Sequence, residues 1–464
     1  MEENMYNTAL VIIGFVMVFG LIGVLLSGKT IPAVAFILIS LAGALVAGLT
    51  GNLAIPEGSS LISVIKGYVT TGVGTVTSSV GMAAFGTAFF TVQTSKGTFD
   101  PIVSFLSKFT KNVMIVMLIT YLVATVGHVD TGTTSTILLT IPMMLPIYRK
   151  MHIKVEYMFL CIGSAVAVMN MLPMAGGPIG LSATTGTDIG LIFQNIVPSM
   201  IVGFLVNIVL IVLLYSKTEQ RRINNMTQEE IDEMDAEYSA LLDGGNAKKG
   251  AELQNVTLDW KYYANLITTI VALVFVFLDK LPAYFVFMVA FSIALLINYP
   301  TNKDKQNALK MCAPNCYPII AIMLCAGVFV GVTRESGMLT DMATFVVTLI
   351  PQTLHGIYNA VIGLICVPMS IALGSQAYYY GFCGLLVEVA SKIGVPAIST
   401  ITTLIITQNA FGFITPVSAV NHLACGMLGR DIKDVIKFCF PRLFLYLVIQ
   451  LAICFLLGMP VIGG

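Results

Sequence analysis

Apolar stretches of about twenty residues, the length that spans a bilayer as a helix, recur along the chain. They cover 8–26, 31–49, 262–278, 283–297 and 438–457. Two further apolar stretches, 112–150 and 356–392, carry a polar, small-residue centre. These centres read His128-Val-Asp-Thr-Gly-Thr-Thr-Ser-Thr136 and Gly374-Ser-Gln-Ala377. Both stretches are expected to turn back on themselves as re-entrant helical hairpins. The stretches 155–187 and 396–428 are interrupted instead, by Asn170-Met-Leu-Pro-Met-Ala-Gly-Gly-Pro178 and Gly412-Phe-Ile-Thr-Pro-Val-Ser418. Each reads as a crossing helix with a break. The long hydrophilic segment, 217–260, is rich in Glu, Asp, Asn and Gly and reads as a linker. Within it, Thr227-Gln-Glu-Glu has the form of a helix start with a capping box.

Composition turns this pattern into a class. Of 464 residues 57% are hydrophobic and 10% charged, and mean hydropathy is +0.90. A water-soluble surface needs more polar groups than that, so the chain is expected in the inner membrane as a multi-pass protein, with the lipid bilayer as its surroundings. A formal net charge of zero gives no reason to expect nucleic acid. Eight of the nine cysteines lie in the second half. The pair Cys312-Ala-Pro-Asn-Cys316 has no second pair or nearby His to complete a metal site, so it reads as packing. The first helix follows Met1-Glu-Glu, not a basic stretch, and reads as uncleaved.

Lysine and arginine set orientation. Segments around Lys29, 96–111, 149–154, 217–261, 303–310 and 430–442 hold 20 of the 24 Lys and Arg and are placed inside. Lys66, Lys280, Arg334 and Lys392 fall outside, as does the N-terminus. The linker is then cytoplasmic.

The two halves repeat. Pro173 and Pro416, Asp188 and Asp431, and Pro198 and Pro441 are each 243 residues apart, and Ser95-Lys-Gly97 and Glu335-Ser-Gly337 lie 240 apart. The charge assignment puts Lys96 inside and Arg334 outside, and Asp188 outside and Asp431 inside, so the repeats are inverted. Inversion requires an odd number of crossings per half. Five are expected at 8–27, 31–50, 74–95, 155–187 and 190–215, and five at 262–278, 281–299, 314–333, 396–428 and 434–458. The fold class is therefore an all-α membrane protein of two inverted repeats, 1–216 and 261–464, joined by 217–260. Each repeat has five transmembrane helices, one hairpin (112–150; 356–392) and one broken helix (155–187; 396–428).

Unwound backbone at membrane depth is tolerated where it lines a cavity or is buried in protein. Paired breaks in inverted repeats point to a transport site worked by alternating access. Half-helix N-termini there present N–H groups to anions. The candidate substrate contacts are Thr131, Gly132, Thr133, Asn170, Gly176, Gly177, Pro178, Ser375, Gln376, Thr415, Pro416, Ser418 and Asn421. A carboxylate at membrane depth must be paired, protonated or bound to a cation, which makes Asp130 the foremost candidate for coupling, with His128 and Glu388 beside it. Helix capping and packing compete with function at each position. Tyr378, Tyr379 and Tyr380 read as hairpin packing, and His422 as a core histidine. No Walker loop, His-Glu-x-x-His motif or partnered nucleophile is present, so an enzyme is not expected. A channel is the other alternative, and the paired breaks fit a carrier better.

At these residues the chain resembles the citrate–metal:proton symporter family (CitMHS) of the ion transporter superfamily, over nearly its whole length. The resemblance is carried by Asp130 with its Thr-rich run, Pro142 to Leu145-Pro-Ile-Tyr, Met169-Asn-Met-Leu-Pro173, Gly176-Gly-Pro178, Ser336-Gly-Met-Leu339, Ser375-Gln-Ala-Tyr-Tyr-Tyr-Gly381 and Thr415-Pro416. It implies a symporter of citrate, carried with Mg²⁺ or Ca²⁺ or as a related carboxylate, driven by H⁺. It also implies an elevator mechanism and a homodimer, with no permanently bound cofactor. Sodium coupling and another small organic anion form the alternative. Three departures stand out. The family's second tip acid is replaced around Gly132, Gln376 stands where the family has an acid, and Ile179-Gly-Leu-Ser-Ala-Thr184 lacks the family's Arg.

Overall fold

The computed structural model describes residues 6–27, 29–101, 105, 112–243, 258–278 and 280–459. Outside them fall the first five residues, the linker stretch 244–257 and Lys108, Lys111, Lys248 and Lys249, on which part of the orientation argument rests. All regular elements among the described residues are helices.

Half one contains α1 (Thr8–Ser27), α2 (Pro32–Leu49), α3 (Leu61–Ser95), the hairpin arms α4 (Val113–Gly127) and α5 (Thr133–Lys150), the split helix α6 (Val155–Met169) and α7 (Gly176–Thr185), and α8 (Ile189–Leu210). A π turn, Ile211–Tyr215, carries α8 into α9 (Ser216–Asn224), and α10 (Gln228–Asp243) follows. Half two repeats the order. It has α11 (Trp260–Leu278), α12 (Ala283–Asn298), α13 (Asn302–Glu335) and α14 (Met338–Leu349). Then come the arms α15 (Tyr358–Gln376) and α16 (Cys383–Lys392), the split helix α17 (Ala397–Phe411) and α18 (Ala419–Met427), and α19 (Ile432–Leu456).

Matching sequence landmarks perform matching jobs. Asp188 caps α8, accepting from Gly190 N at 2.8 Å, and Asp431 caps α19, accepting from Lys433 N at 2.8 Å. Each carboxylate satisfies a donor the first turn leaves open. The expected capping box also forms: Thr227 N donates to Glu230 Oε2 at 2.8 Å and Glu230 N to Thr227 Oγ1 at 3.3 Å.

Element bounds differ from expectation in three places. The third helix of each half is far longer than its apolar run. α3 spans 35 residues and α13 spans 34, about 50 Å each at 1.5 Å per residue, against a hydrocarbon core of about 30 Å. Lys66 therefore lies in the first turns of α3 rather than in a loop, because polar residues at a helix end do not stop a helix. α14 was not expected as a separate element. The last membrane helix of half one also runs on into the expected linker, to Asn224.

α3 and α13 cross antiparallel. Gly72 sits against Gly327 and Gly331, and a Cβ there would collide with the Gly327 carbonyl and the Gly331 backbone. Farther along, Cys316 Sγ reaches Ala84 O and Cys312 Sγ reaches Ala88 O. Rising numbers on α3 thus meet falling numbers on α13. Corresponding helices of the two halves run in opposite directions, as inverted repeats must. Small residues allow this approach where apolar burial gives no drive between helices in lipid.

The split helices form the interior. Every residue of α6 except Glu156 is buried, as is α17 from Ser399 to Phe411. The outer helices expose apolar side chains instead, such as Ile12, Val16 and Phe19 on α1, Phe275 on α11 and Phe285 and Val289 on α12. Nine helices among the described residues are long and apolar enough to cross a membrane. This is a multi-pass membrane protein.

Candidate functional site

Hairpin one turns at 128–132, between α4 and α5. Thr131 takes φ 57, a left-handed conformation rare for a β-branched residue. Its N–H donates to His128 O at 2.9 Å and closes the turn. The Asp130 carboxylate holds the tip together. Oδ1 accepts from Gly132 N at 2.8 Å, and Oδ2 accepts from Ser135 Oγ at 3.2 Å and from Thr94 Oγ1, on α3, at 3.3 Å. The Gly132 carbonyl in turn accepts from Thr136 N and from the Ser135 and Thr136 hydroxyls.

Beside this turn, His128 is fully buried. Its Nδ1 lies 2.7 Å from Thr136 Oγ1 and its Nε2 lies 3.0 Å from Asn170 Oδ1. The ring therefore ties the hairpin to the break between α6 and α7.

Hairpin two turns through a single residue. Gly374 has φ 66 and ψ 165, a conformation essentially confined to glycine. A π stretch, Ala377–Phe382, leads from there into α16. Ser375 follows the turn, and Gln408 Nε2 of α17 donates to its Oγ at 2.7 Å. The three tyrosines pack: Tyr378 and Tyr379 are buried, and Tyr380 meets Phe36 edge-on at 5.7 Å. Tyr379 Oη also lies 3.0 Å from the Gln408 amide and 3.1 Å from the Asn409 amide. The Gln376 side chain lies outside the described atoms.

The second break is stitched by its own side chains. Thr415 Oγ1 donates to Ile371 O, and Asn421 Nδ2 donates to Gly412 O at 3.2 Å and Thr415 O at 2.9 Å. The Pro416 carbonyl lies 2.8 Å from His422 Nε2, an exposed contact and not a core one. Ser418 occupies the N-cap position of α18, yet its hydroxyl caps nothing.

These parts enclose a cleft of about 330 Å³. Thr133 and Asn170 reach it from half one, Gly374 and Ser375 from hairpin two, Thr415, Ser418 and Asn421 from the second break, and Thr30 from the α1–α2 turn. Among the described residues no charged side chain lines it. Six of the sequence-derived contacts thus come together: Thr133, Asn170, Ser375, Thr415, Ser418 and Asn421. Thr131, Gly132, Gly176, Gly177, Pro178 and Pro416 are not among the lining residues, nor are Asp130, His128 and Glu388. Gly177 packs on the Tyr379 hydroxyl, where a Cβ would sit 2.8 Å from it. Glu388 lies on α16, outside the lining. Among the described residues no group of three or more His, Cys, Asp or Glu is placed to hold a metal.

Residues at three helix starts, Thr133, Ser375 and Ser418, line one cleft that is uncharged among the described residues, the arrangement expected where a membrane protein handles an anion. The model of the citrate transporter family matches residues 21–407. The chain belongs to that family. Among the relatives of this citrate transporter family chain is a citrate transporter of Bacillus subtilis (strain 168), 25% identical over 92% of this chain and 94% of that protein. A Mg(2+)/citrate complex secondary transporter of the same organism is 25% identical over 97% of this chain and 98% of that protein. The fold is similar to that of the Alcanivorax borkumensis YdaH transporter, whose crystal structure is described as having an unusual topology. The TM-score is 0.56 at 13% identity, covering 94% of this chain and all of the other. The relatives are transporters, not enzymes, in keeping with the absence of a nucleophile or metal motif.

Gln408, Asn409, Thr30 and Thr94 escaped the sequence reading. The first two carried a legible signal, an amide pair near the end of a buried helix whose other polar residues are all small hydroxyls.

Proposed function

We propose that this chain carries citrate across the membrane as its complex with a divalent cation, in symport with protons. The observation that carries the reading is the cleft, uncharged among the described residues, with three helix starts at its wall: Thr133 on α5, Ser375 where the helix resumes after the Gly374 turn, and Ser418 before α18. Each helix start offers the equivalent of about half a positive charge. Citrate with three ionised carboxylates finds no Lys, Arg or His in the lining to offset it. A metal ion travelling with the substrate removes most of that charge, and hydroxyls and helix starts suit what remains. The divalent cation is cargo here, not a resident cofactor.

The coupling proton is assigned to the tip of hairpin one. His128 is one hydrogen bond from the cleft through Asn170, and Asp130 bridges the tip to α3. Thr30 and Pro32 edge the cleft next to Lys29, on the side the basic residues assign to the cytoplasm, so the cleft faces inward. The glycine-locked α3 and α13 belong to a static scaffold, against which the hairpins and split helices move as an elevator. The apolar outer faces of α11 and α12 meet lipid and a second copy in a homodimer.

The test is uptake of labelled citrate into proteoliposomes under an imposed pH or sodium gradient, with and without Mg²⁺ or Ca²⁺. Metal-dependent uptake driven by the pH gradient, with Asp130→Asn transporting but no longer concentrating citrate, is expected. Uptake driven by sodium alone would overturn the proton assignment. No citrate uptake, from protein that another carboxylate stabilises thermally, would overturn the substrate.

A further inference from the structure

We infer that Gln408 is a positioning residue that turns the Ser375 hydroxyl into a donor aimed at the substrate, with Tyr379 holding Gln408 in place. The inference rests on the reading of the cleft as a carboxylate site and adds a residue that does not line it.

Hydrogen-bond accounting carries the argument. A serine hydroxyl has one proton and accepts through its lone pairs. Ser375 Oγ accepts from Gln408 Nε2 at 2.7 Å, and it has no acceptor for its own proton among the described side chains. Ser375 lines the cleft. Its proton is therefore directed into the cleft, where a carboxylate oxygen is the matching partner.

The orientation of Gln408 is itself imposed. A free amide could present either oxygen or nitrogen to Ser375, and the two choices would make the hydroxyl a donor to Gln408 or a donor to the cleft. Tyr379 decides between them. Its Oη lies 3.0 Å from the Gln408 amide and 3.1 Å from the Asn409 amide, and a phenol both donates and accepts. The buried Asn409 Nδ2 finds its partner only by donating to Oη, which leaves the phenolic proton for Gln408 Oε1. That places Oε1 on the Tyr379 side and Nε2 on the Ser375 side. Gln408 is 2% exposed and Tyr379 2%, so water does not compete for these bonds. Gly177, on α7 of the other half, leaves room for the Tyr379 hydroxyl. The relay therefore joins the first split helix, hairpin two and the second split helix, and ends on the hydroxyl beside the glycine turn.

The test is a double-mutant cycle on the full chain in proteoliposomes, with Mg²⁺ plus citrate as the probe. KM and maximal rate per folded carrier are read for the unaltered protein, Gln408→Met, Ser375→Ala and both together. Gln408→Met is expected to raise KM about tenfold, as for loss of a bond serving a charged group, with little change in maximal rate. Combined with Ser375→Ala it should add nothing, because its effect passes through that hydroxyl. Tyr379→Phe, a milder change, should raise KM by about threefold and also vanish in the Ser375→Ala background. Effects that multiply in the double variants, or an unchanged KM in both Gln408→Met and Tyr379→Phe, overturn the relay while leaving the carboxylate reading intact. If the unaltered protein neither moves Mg²⁺ plus citrate nor is stabilised by any carboxylate, the carboxylate reading fails and the relay fails with it.

Discussion

Two residues at the hairpin tips carry opposite backbone consequences. Gly374 occupies a conformation that a Cβ forbids, at a cost of about 1–3 kcal/mol for other residues. Gly374→Ala should therefore remove the citrate-induced rise in melting temperature and abolish uptake, even where the apo protein still folds. Thr131 is the reverse case, a β-branched residue held at φ 57. Thr131→Gly should raise the melting temperature, by an amount corresponding to about 1 kcal/mol, and a lowered value would mean the threonine side chain makes up for its own strain. Much of the cleft was legible at this scale. Thr133, Asn170, Ser375, Thr415, Ser418 and Asn421 are polar or small residues inside apolar runs, and at membrane depth such residues need a reason. Which of them face the cleft was not legible, because that depends on how the breaks fold. Asn421 lines the cleft while satisfying carbonyls of its own break, whereas Gly177, outside the lining, makes room for a tyrosine from the other half.

At the level of elements, the α3–α13 crossing rests on Gly72 meeting Gly327 and Gly331. The glycine backbones leave no room for an intruding side chain, and overpacking costs about 1–3 kcal/mol where the core can adjust. Gly72→Leu should exceed that and leave little folded carrier, read by size-exclusion elution in detergent. The same change at Gly74, which has open space around it, should leave elution unaltered. The hairpins and the split helices were readable from sequence because each has a local chemical signature, whereas Asp188 and Asp431 stood out only as landmarks of the repeat and not as the N-caps they form. The length of α3 and α13 was not. Hydropathy marks the part of a helix that is in lipid, and these helices extend beyond it with Lys66 at one end and Lys303, Lys305 and Lys310 at the other.

For the whole molecule, the halves do not fold into separate bodies. α6 of half one is buried against half two, where the Phe159 and Phe413 rings meet at a tilt with 4.5 Å between centroids, and Arg430 pairs with Glu156 at 2.6 Å. Residues 1–243 and 258–464, produced as two chains in one cell, should reassemble into an active carrier, and neither alone should show uptake. Activity from one fragment would mean the cleft needs only one half. The antiparallel meeting of α3 with α13 has a historical consequence as well. If the two halves descend from one shorter gene, its product had to enter the membrane in both directions, so that two oppositely inserted copies could cross as these helices do. Such an ancestor would have had nearly balanced basic residues on its two sides. The present lopsided distribution of Lys and Arg would then have arisen only after fusion, when each half no longer needed to face both ways.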